Sequence, residues 1–266
     1  MKQEIWHGDS VELLKNIPDK SVDLVLTSPP YDNLRSYNKS SWNFEIFKQV
    51  ATELFRVIKD NSPIVWVVAD SSIGGGETGS SFQQALFFKE LGMDLHDTMI
   101  FLKENQRPRQ YRANRYEQIF EYMFVLTKGK PKTFNPIQEK CKHSGKEVTF
   151  TSRDAVKENN FTSGDKLANR KTVIIKETKT KGNVWHYNTG SNTASNPIAF
   201  KHPAIFPEGL ANDHIQSWTN ENDLVLDPFA GSGTALLMAK NLNRQFIGIE
   251  KEEEYYDICV ERLKTS

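Results

Sequence analysis

Residues 227–234, Asp-Pro-Phe-Ala-Gly-Ser-Gly-Thr, put an acid ahead of two glycines spaced two apart, and Glu250 follows nineteen residues beyond Gly231. Small residues let backbone amides face a ligand where a chain leaves a strand and starts a helix. A carboxylate at the end of the following strand can accept both hydroxyls of a ribose. A second group of residues with chemistry of its own is Ser28-Pro29-Pro30-Tyr31, which follows the apolar run VDLVLT. Its two prolines remove two backbone donors and fix the chain direction, leaving acceptors beside an aromatic ring. That combination suits a planar ligand bearing an exocyclic amine: Tyr31 stacks on the ring, while the Ser28 hydroxyl and the Pro29 carbonyl accept the two amine protons.

The glycine turn alone is a weak signal, since two glycines can serve a tight turn and nothing more. A dinucleotide site asks for G-x-G-x-x-G, but the third position is Leu236 and no second nucleotide-binding half follows Glu250. An anionic pyrophosphate would also favour a basic loop, whereas this one opens with Asp227. An acid there suits a cationic ligand such as S-adenosylmethionine, which carries a sulfonium and an ammonium. Asp9, in His-Gly-Asp-Ser after the apolar run at 4–7, is placed either to accept from an adenine amine or to cap a helix over 10–17.

The elements that must position these groups alternate. Apolar, β-branched runs at 4–7, 22–28, 63–69 and 97–102 read as strands, and 119–127 as a strand that adds antiparallel. Phe44, Phe47, Val50, Ala51, Leu54, Phe55 and Ile58 fall at helical spacing. Residues 207–218 predict a helix opening with Pro207, and 74–81 a short connecting loop. With two C-terminal strands the sheet counts about seven. The half formed by residues 224–250 cannot stand alone, so the strands completing its sheet must come from earlier in the chain.

From 128 to 200 periodicity fades and polar residues dominate, around isolated pieces such as 172–175 and 183–187. The expected division is 1–127, an insertion at 128–200, and 201–266. The whole chain is neutral, with 34 basic and 34 acidic residues, which argues against coating nucleic acid through bulk charge. Residues 128–181, however, hold 14 Lys or Arg against 6 Asp or Glu. That basic segment is either a solvated loop or a binding surface. No apolar run is long enough for a membrane span and the start lacks a signal-peptide pattern, so a cytoplasmic protein without a membrane partner is expected. Cys141 and Cys259 are too few and too scattered for a disulfide framework or a zinc site, and no metal is expected.

Together GDS at 8–10, TSPPY at 27–31, FEYMFVLTKG at 120–129, KHPAIFPEGL at 201–210, LDPFAGSGT at 226–234 and FIGIE at 246–250 resemble the permuted, β-group DNA amino-methyltransferases. The resemblance covers nearly the whole chain. It implies an α/β, Rossmann-like methyltransferase fold, circularly permuted, with the catalytic part at 1–127, a target-recognition insertion at 128–200 and the cofactor-binding part at 201–266. It implies S-adenosylmethionine as cofactor, surrounded by Asp9, Lys201, His202, Pro203, Phe206, Asp227, Phe229, Gly231, Ser232, Gly233, Thr234 and Glu250. Ser28, Pro29, Pro30 and Tyr31 would form the catalytic loop.

The implied substrate is double-stranded DNA with the target base flipped out of the stack. Methylation of cytosine carbon 5 needs a cysteine nucleophile, and neither cysteine qualifies. Cys141 is in the basic segment, and Cys259 falls at a core position of the last helix. Serine in the first loop position is associated in the family with cytosine N4 and aspartate with adenine N6. Cytosine N4 is therefore the favoured expectation and adenine N6 the alternative; a nucleic-acid-binding protein without catalysis is the lower one. DNA contacts are expected at Lys140, Lys142 and Lys146, or ahead of the insertion at Arg107, Arg109, Arg112 and Arg115. A restriction-modification setting, a cognate endonuclease and a homodimer complete the expectations.

Overall fold

Leu-Val-Leu-Thr at 24–27 and Pro-Ile-Val-Trp-Val-Val at 63–68 are buried at every residue, as strands covered on both faces must be. They lie at the centre of the structure, a computed structural model that describes residues 2–30, 42–105, 116–151, 170–190 and 193–265. In chain order the elements are β1 (Gln3–His7), α1 (Ser10–Leu13), β2 (Leu24–Thr27), α2 (Phe44–Val57), β3 (Pro63–Val68), β4 (Ser72–Ile73), β5 (Gly76–Glu77), α3 (Ser80–Glu90), β6 (Asp94–Lys103) and β7 (Phe120–Thr127). There follow β8 (Gln138–Lys140), β9 (Glu147–Thr151), β10 (Arg170–Ile174), β11 (Thr178–Thr180), β12 (Val184–Tyr187), α4 (Glu208–Trp218), β13 (Leu224–Asp227), α5 (Thr234–Asn241), β14 (Gln245–Glu250) and α6 (Glu253–Lys264).

Eight strands form one sheet in the order β1-β14-β13-β2-β3-β7-β6-β12. All run parallel except β7, which pairs antiparallel with both β3 and β6. The C-terminal unit β13-α5-β14 is seated between β1 and β2, so the last strands of the chain complete a sheet begun by the first. One strand more is present than the seven expected. β12 comes from within the expected insertion, where the short apolar piece around Trp185 buries that ring against His214, 4.6 Å between centroids. Helix α2 lays Phe47, Val50, Ala51, Leu54 and Val57 on the sheet, and Asn43 caps it by accepting from the Ile46 N–H at 3.0 Å.

The chain divides into two compact units, Met1–Asn135 with Asn183–Ser266, and Pro136–Gly182. The second is narrower than 128–200 because β12 and the residues after it belong with the main sheet. Its described residues form two antiparallel pairs, β8 with β11 and β9 with β10. The expected loop at 74–81 instead contains β5 and the start of α3. Asp70 accepts from the Ser81 N–H at 3.0 Å and the Ser81 hydroxyl at 2.6 Å, fixing the start of α3. Among the described residues no helix is long and apolar enough to cross a membrane.

Parallel strands bring their carboxyl ends to one edge of a sheet, with neighbours about 4.8 Å apart. At that edge lie Glu250 as the last residue of β14, Asp227 as the last of β13 and Ser28 just after β2, with Asp9 two residues beyond β1.

Candidate active site

These groups line one cavity of about 640 Å³. Part of its wall is made by Asp9, Asp227, Phe229, Gly231, Glu250 and His202, another part by Ser28, Pro29 and Pro30. Trp42 lines it as well, its ring set edge-on to Phe229 with centroids 5.2 Å apart.

The buried acids define its electrostatics. Asp227 is 6% exposed and accepts from the Thr27 hydroxyl at 2.6 Å and from the Phe229 N–H at 3.0 Å. Burial pushes its pKa up to about 7, against those two hydrogen bonds and with a further rise from the charge of Glu250. Glu250 accepts from the Gly231 N–H at 2.7 Å and the Glu252 N–H at 2.9 Å. Burial raises its pKa too, more than the backbone hydrogen bonds lower it. A carboxylate has about four acceptor positions, so Glu250 keeps acceptor capacity beyond its backbone bonds. Two desolvated acids on one wall favour a ligand that carries positive charge.

The turn between them is held from behind. Gly233 has φ +77°, and a Cβ there would come within 2.5 Å of Cys259 Sγ. Gly231 has φ +51° and lies under the His202 ring, which also stands edge-on to Tyr255 at 4.3 Å. Arg262 on α6 is fully buried and donates to the Ser232 carbonyl at 3.0 Å, to the Thr234 hydroxyl at 2.8 Å and to Glu208 of α4 at 2.6 Å. The third position of the dinucleotide pattern explains itself in the packing. Leu236 lies on Gly248 of β14, where a Cβ would approach its Cδ1 to 2.2 Å. The room that a dinucleotide fold makes on the helix is made here on the strand.

Of the expected cofactor residues, Asp9, His202, Pro203, Phe206, Asp227, Phe229, Gly231, Ser232, Thr234 and Glu250 line the cavity. Gly233 supports the turn instead, and Lys201 is exposed at the end of the turn Pro197–Lys201, outside the wall. Asp9 caps α1 by accepting from the Val11 N–H at 2.9 Å and pairs with Lys251 at 3.0 Å. Burial opposes its ionisation, but these partners hold its pKa below the usual value. Asp9 is thus the expected helix cap, and it also lines the cavity. Tyr31 and Arg107, Arg109, Arg112 and Arg115 lie outside the described residues. Lys140, Lys142 and Lys146 are exposed in the smaller unit, around the turn between β8 and β9.

Sequence reasoning missed Thr27, Arg262, Glu208 and Trp42. Arg262 left a trace, because it continues the buried stripe Ile258, Cys259 and Leu263 of α6. A charge in an apolar stripe signals a buried partner.

Residues 22–261 match the family described as DNA methylase, of N6 and N4 methyltransferases. Among curated proteins, the orphan methyltransferase M.BamHII of Bacillus amyloliquefaciens is 49% identical over 253 residues, 94% of this chain and 91% of its own. The type II methyltransferase M.BglII of Bacillus subtilis is 33% identical over 277 residues, 98% of this chain and 68% of its own. Among solved structures, the PvuII DNA methyltransferase (cytosine-N4-specific) superposes with a TM-score of 0.69 at 20% identity, covering 97% of this chain and 85% of that one. The M1.HpyAVI–SAM complex gives 0.64 at 26% identity, covering 98% of each.

Proposed function

This chain belongs to the DNA methylase family, and on that basis we propose that it methylates the exocyclic N4 of cytosine within a specific duplex sequence. It is an S-adenosylmethionine-dependent DNA amino-methyltransferase of the restriction-modification type. Methylation of an amine here rests on one observation, that the Ser28-Pro29-Pro30 turn and the buried carboxylates Asp227 and Glu250 line the same cavity; the choice of cytosine rests on the serine that heads the turn.

The residues fit the cofactor. Glu250 has acceptor positions for ribose hydroxyls, Asp227 offers negative charge to a cationic tail, and Gly231 and Ser232 line the space between. When bound, S-adenosylmethionine supplies an electrophilic methyl on its sulfonium. The work of the chain is then on the amine. The nitrogen lone pair of an arylamine is delocalised into the ring and nucleophilic only when the nitrogen pyramidalises. Ser28 Oγ and the Pro29 carbonyl, accepting one amine proton each, favour that geometry, and the cavity wall adds positioning in a site of low dielectric. Tyr31 is the aromatic residue assigned by the sequence to stack on the flipped base, offsetting an unstacking cost of a few kcal/mol.

Serine at the head of the turn supports cytosine, and the relative described as cytosine-N4-specific shares the fold. Lys140, Lys142 and Lys146 of the smaller unit are proposed to grip the duplex and that unit to read it. The 49% identical relative is named an orphan methyltransferase and the 33% identical one a type II methyltransferase, so no companion endonuclease is proposed. Sequencing of modified bases in DNA from a host expressing this chain tests the proposal. N4-methylcytosine at one recurrent sequence is expected, and N6-methyladenine alone would reverse the base.

A further inference from the structure

Beyond the groups already described, the cavity wall includes Phe101, Lys103, Asn105 and Glu121. Lys103 and Glu121 form an ion pair at 2.7 Å, with side chains only 19% and 14% exposed. They are diagonal neighbours across the β6–β7 ladder, where Phe101 faces Glu121 and Leu102 faces Phe120. Those strands are already joined by backbone hydrogen bonds, including Lys103 N–H to the Ile119 carbonyl at 2.9 Å. A desolvated ion pair adds little to such a ladder, since an apolar pair of similar size is often as stable. A half-buried, paired lysine on the wall of a substrate cavity is better explained by what its ammonium donates to.

Its position along the sheet indicates the recipient. The carboxyl edge runs from β2, which is followed by Ser28, through β3 to β7 and β6. Because β7 is antiparallel, its first residues lie at that same edge beside the last of β6. Ser28 and Glu121 are thus two strand spacings apart across the sheet and two residues apart along it by register, a backbone separation of about 12 Å, which two side chains can bridge through a six-membered ring with a hydrogen bond at each end. Lys103 reaches toward Glu121 from one strand further on.

Resting on the cytosine reading above, we propose that Lys103, held by Glu121, donates a hydrogen bond to the O2 carbonyl of the flipped cytosine and thereby selects cytosine over adenine. With its amine at Ser28 and Pro29, cytosine presents N3 and then O2 along its edge, both acceptors. Adenine in the same pose presents N1 and then C2–H, which accepts nothing. An ammonium carries three donors, and the bond to Glu121 Oε1 occupies one. Reading a flipped base along its Watson–Crick edge is how enzymes of this type choose a substrate. The donor here favours cytosine even though the serine loop can serve either amine.

The test uses the full chain, S-adenosylmethionine and two duplexes that differ only in carrying cytosine or adenine at the methylated position. Lys103→Met should lower kcat/KM on cytosine by about 10- to 150-fold, the effect of removing one charged hydrogen bond. The rate on adenine and the calorimetric affinity for S-adenosylmethionine should stay within about twofold of the parent. Glu121→Gln, an isostere that keeps the fold if the methionine variant does not, should shift the cytosine-to-adenine ratio in the same direction. Equal losses on both bases would mark the pair as structural and overturn the proposal, as would an unchanged ratio. A parent that makes only N6-methyladenine would overturn the cytosine reading itself, a result visible before any variant is made.

Discussion

Protonation of Asp227 should control cofactor binding near neutral pH. Burial raises its pKa from 3.8 to about 7, and a rise of that size corresponds to roughly 4 kcal/mol disfavouring the charged form. A cationic ligand beside the carboxylate relieves that cost, so it binds the ionised form. With a pKa near 7, the ionised fraction is about nine-tenths at pH 8 and one-tenth at pH 6, so affinity should fall nearly tenfold between them. In the cofactor-free protein the sign is opposite. An acid whose folded pKa lies above its unfolded value contributes stability that is full below 3.8 and lost as pH rises through 7. Asp227→Asn should therefore stabilise the free protein at pH 8 while weakening cofactor binding there. Calorimetric titration with S-adenosylmethionine from pH 6 to 8, in parent and Asp227→Asn, separates this effect from the ligand's own titration. Parallel pH profiles for the two proteins would refute the reasoning.

Three further outcomes follow from the packing and charge. Arg262→Met removes a buried cation and leaves the Glu208 carboxylate without its charged partner, held among the described residues only by Ser195, so chemical unfolding should show a loss of about 3–5 kcal/mol; a loss near zero would mean that Arg262 does not hold the turn. Gly248→Ala should cost about 1–3 kcal/mol through its clash with Leu236. Combined with Leu236→Ala, the total should be less than the sum of the single changes, and strict additivity would contradict the clash. Replacing Lys140, Lys142 and Lys146 by Ala should flatten the dependence of log affinity for DNA on log salt by about 0.9 for each phosphate no longer neutralised. Coincident slopes would show that the duplex is held elsewhere.

Much of this arrangement is legible in the chain because its signals are local. The glycine turn, the acid nineteen residues on and the apolar runs of β2 and β3 each lie within a short window, and their order implies that the last strands complete the sheet of the first. What escapes such reading acts across the chain. Thr27 meets Asp227 across 200 residues, and Arg262 meets Glu208 across 54; only folding brings them together. Strand β12 is hidden because four residues in a polar stretch carry too little periodicity to separate a sheet edge from a loop. Family position assigns Lys201 to the cofactor, but its turn leaves it exposed while its neighbour His202 covers Gly231. Leu236 argues against a dinucleotide in the sequence alone, and the structure supplies the reason: the complementary glycine stands on the strand, at Gly248.

Transfer of a methyl group onto an amine of DNA, by the Ser28 turn in the acid-lined cavity, can be read from the product itself. Purified chain should be incubated with duplex DNA and S-adenosylmethionine labelled in the methyl, and the DNA digested to nucleosides for mass spectrometry. Label should appear in N4-methylcytosine, and Ser28→Ala should lose that product while still binding the cofactor. Label on carbon 5 of a pyrimidine, or undiminished transfer by Ser28→Ala, would contradict this mechanism.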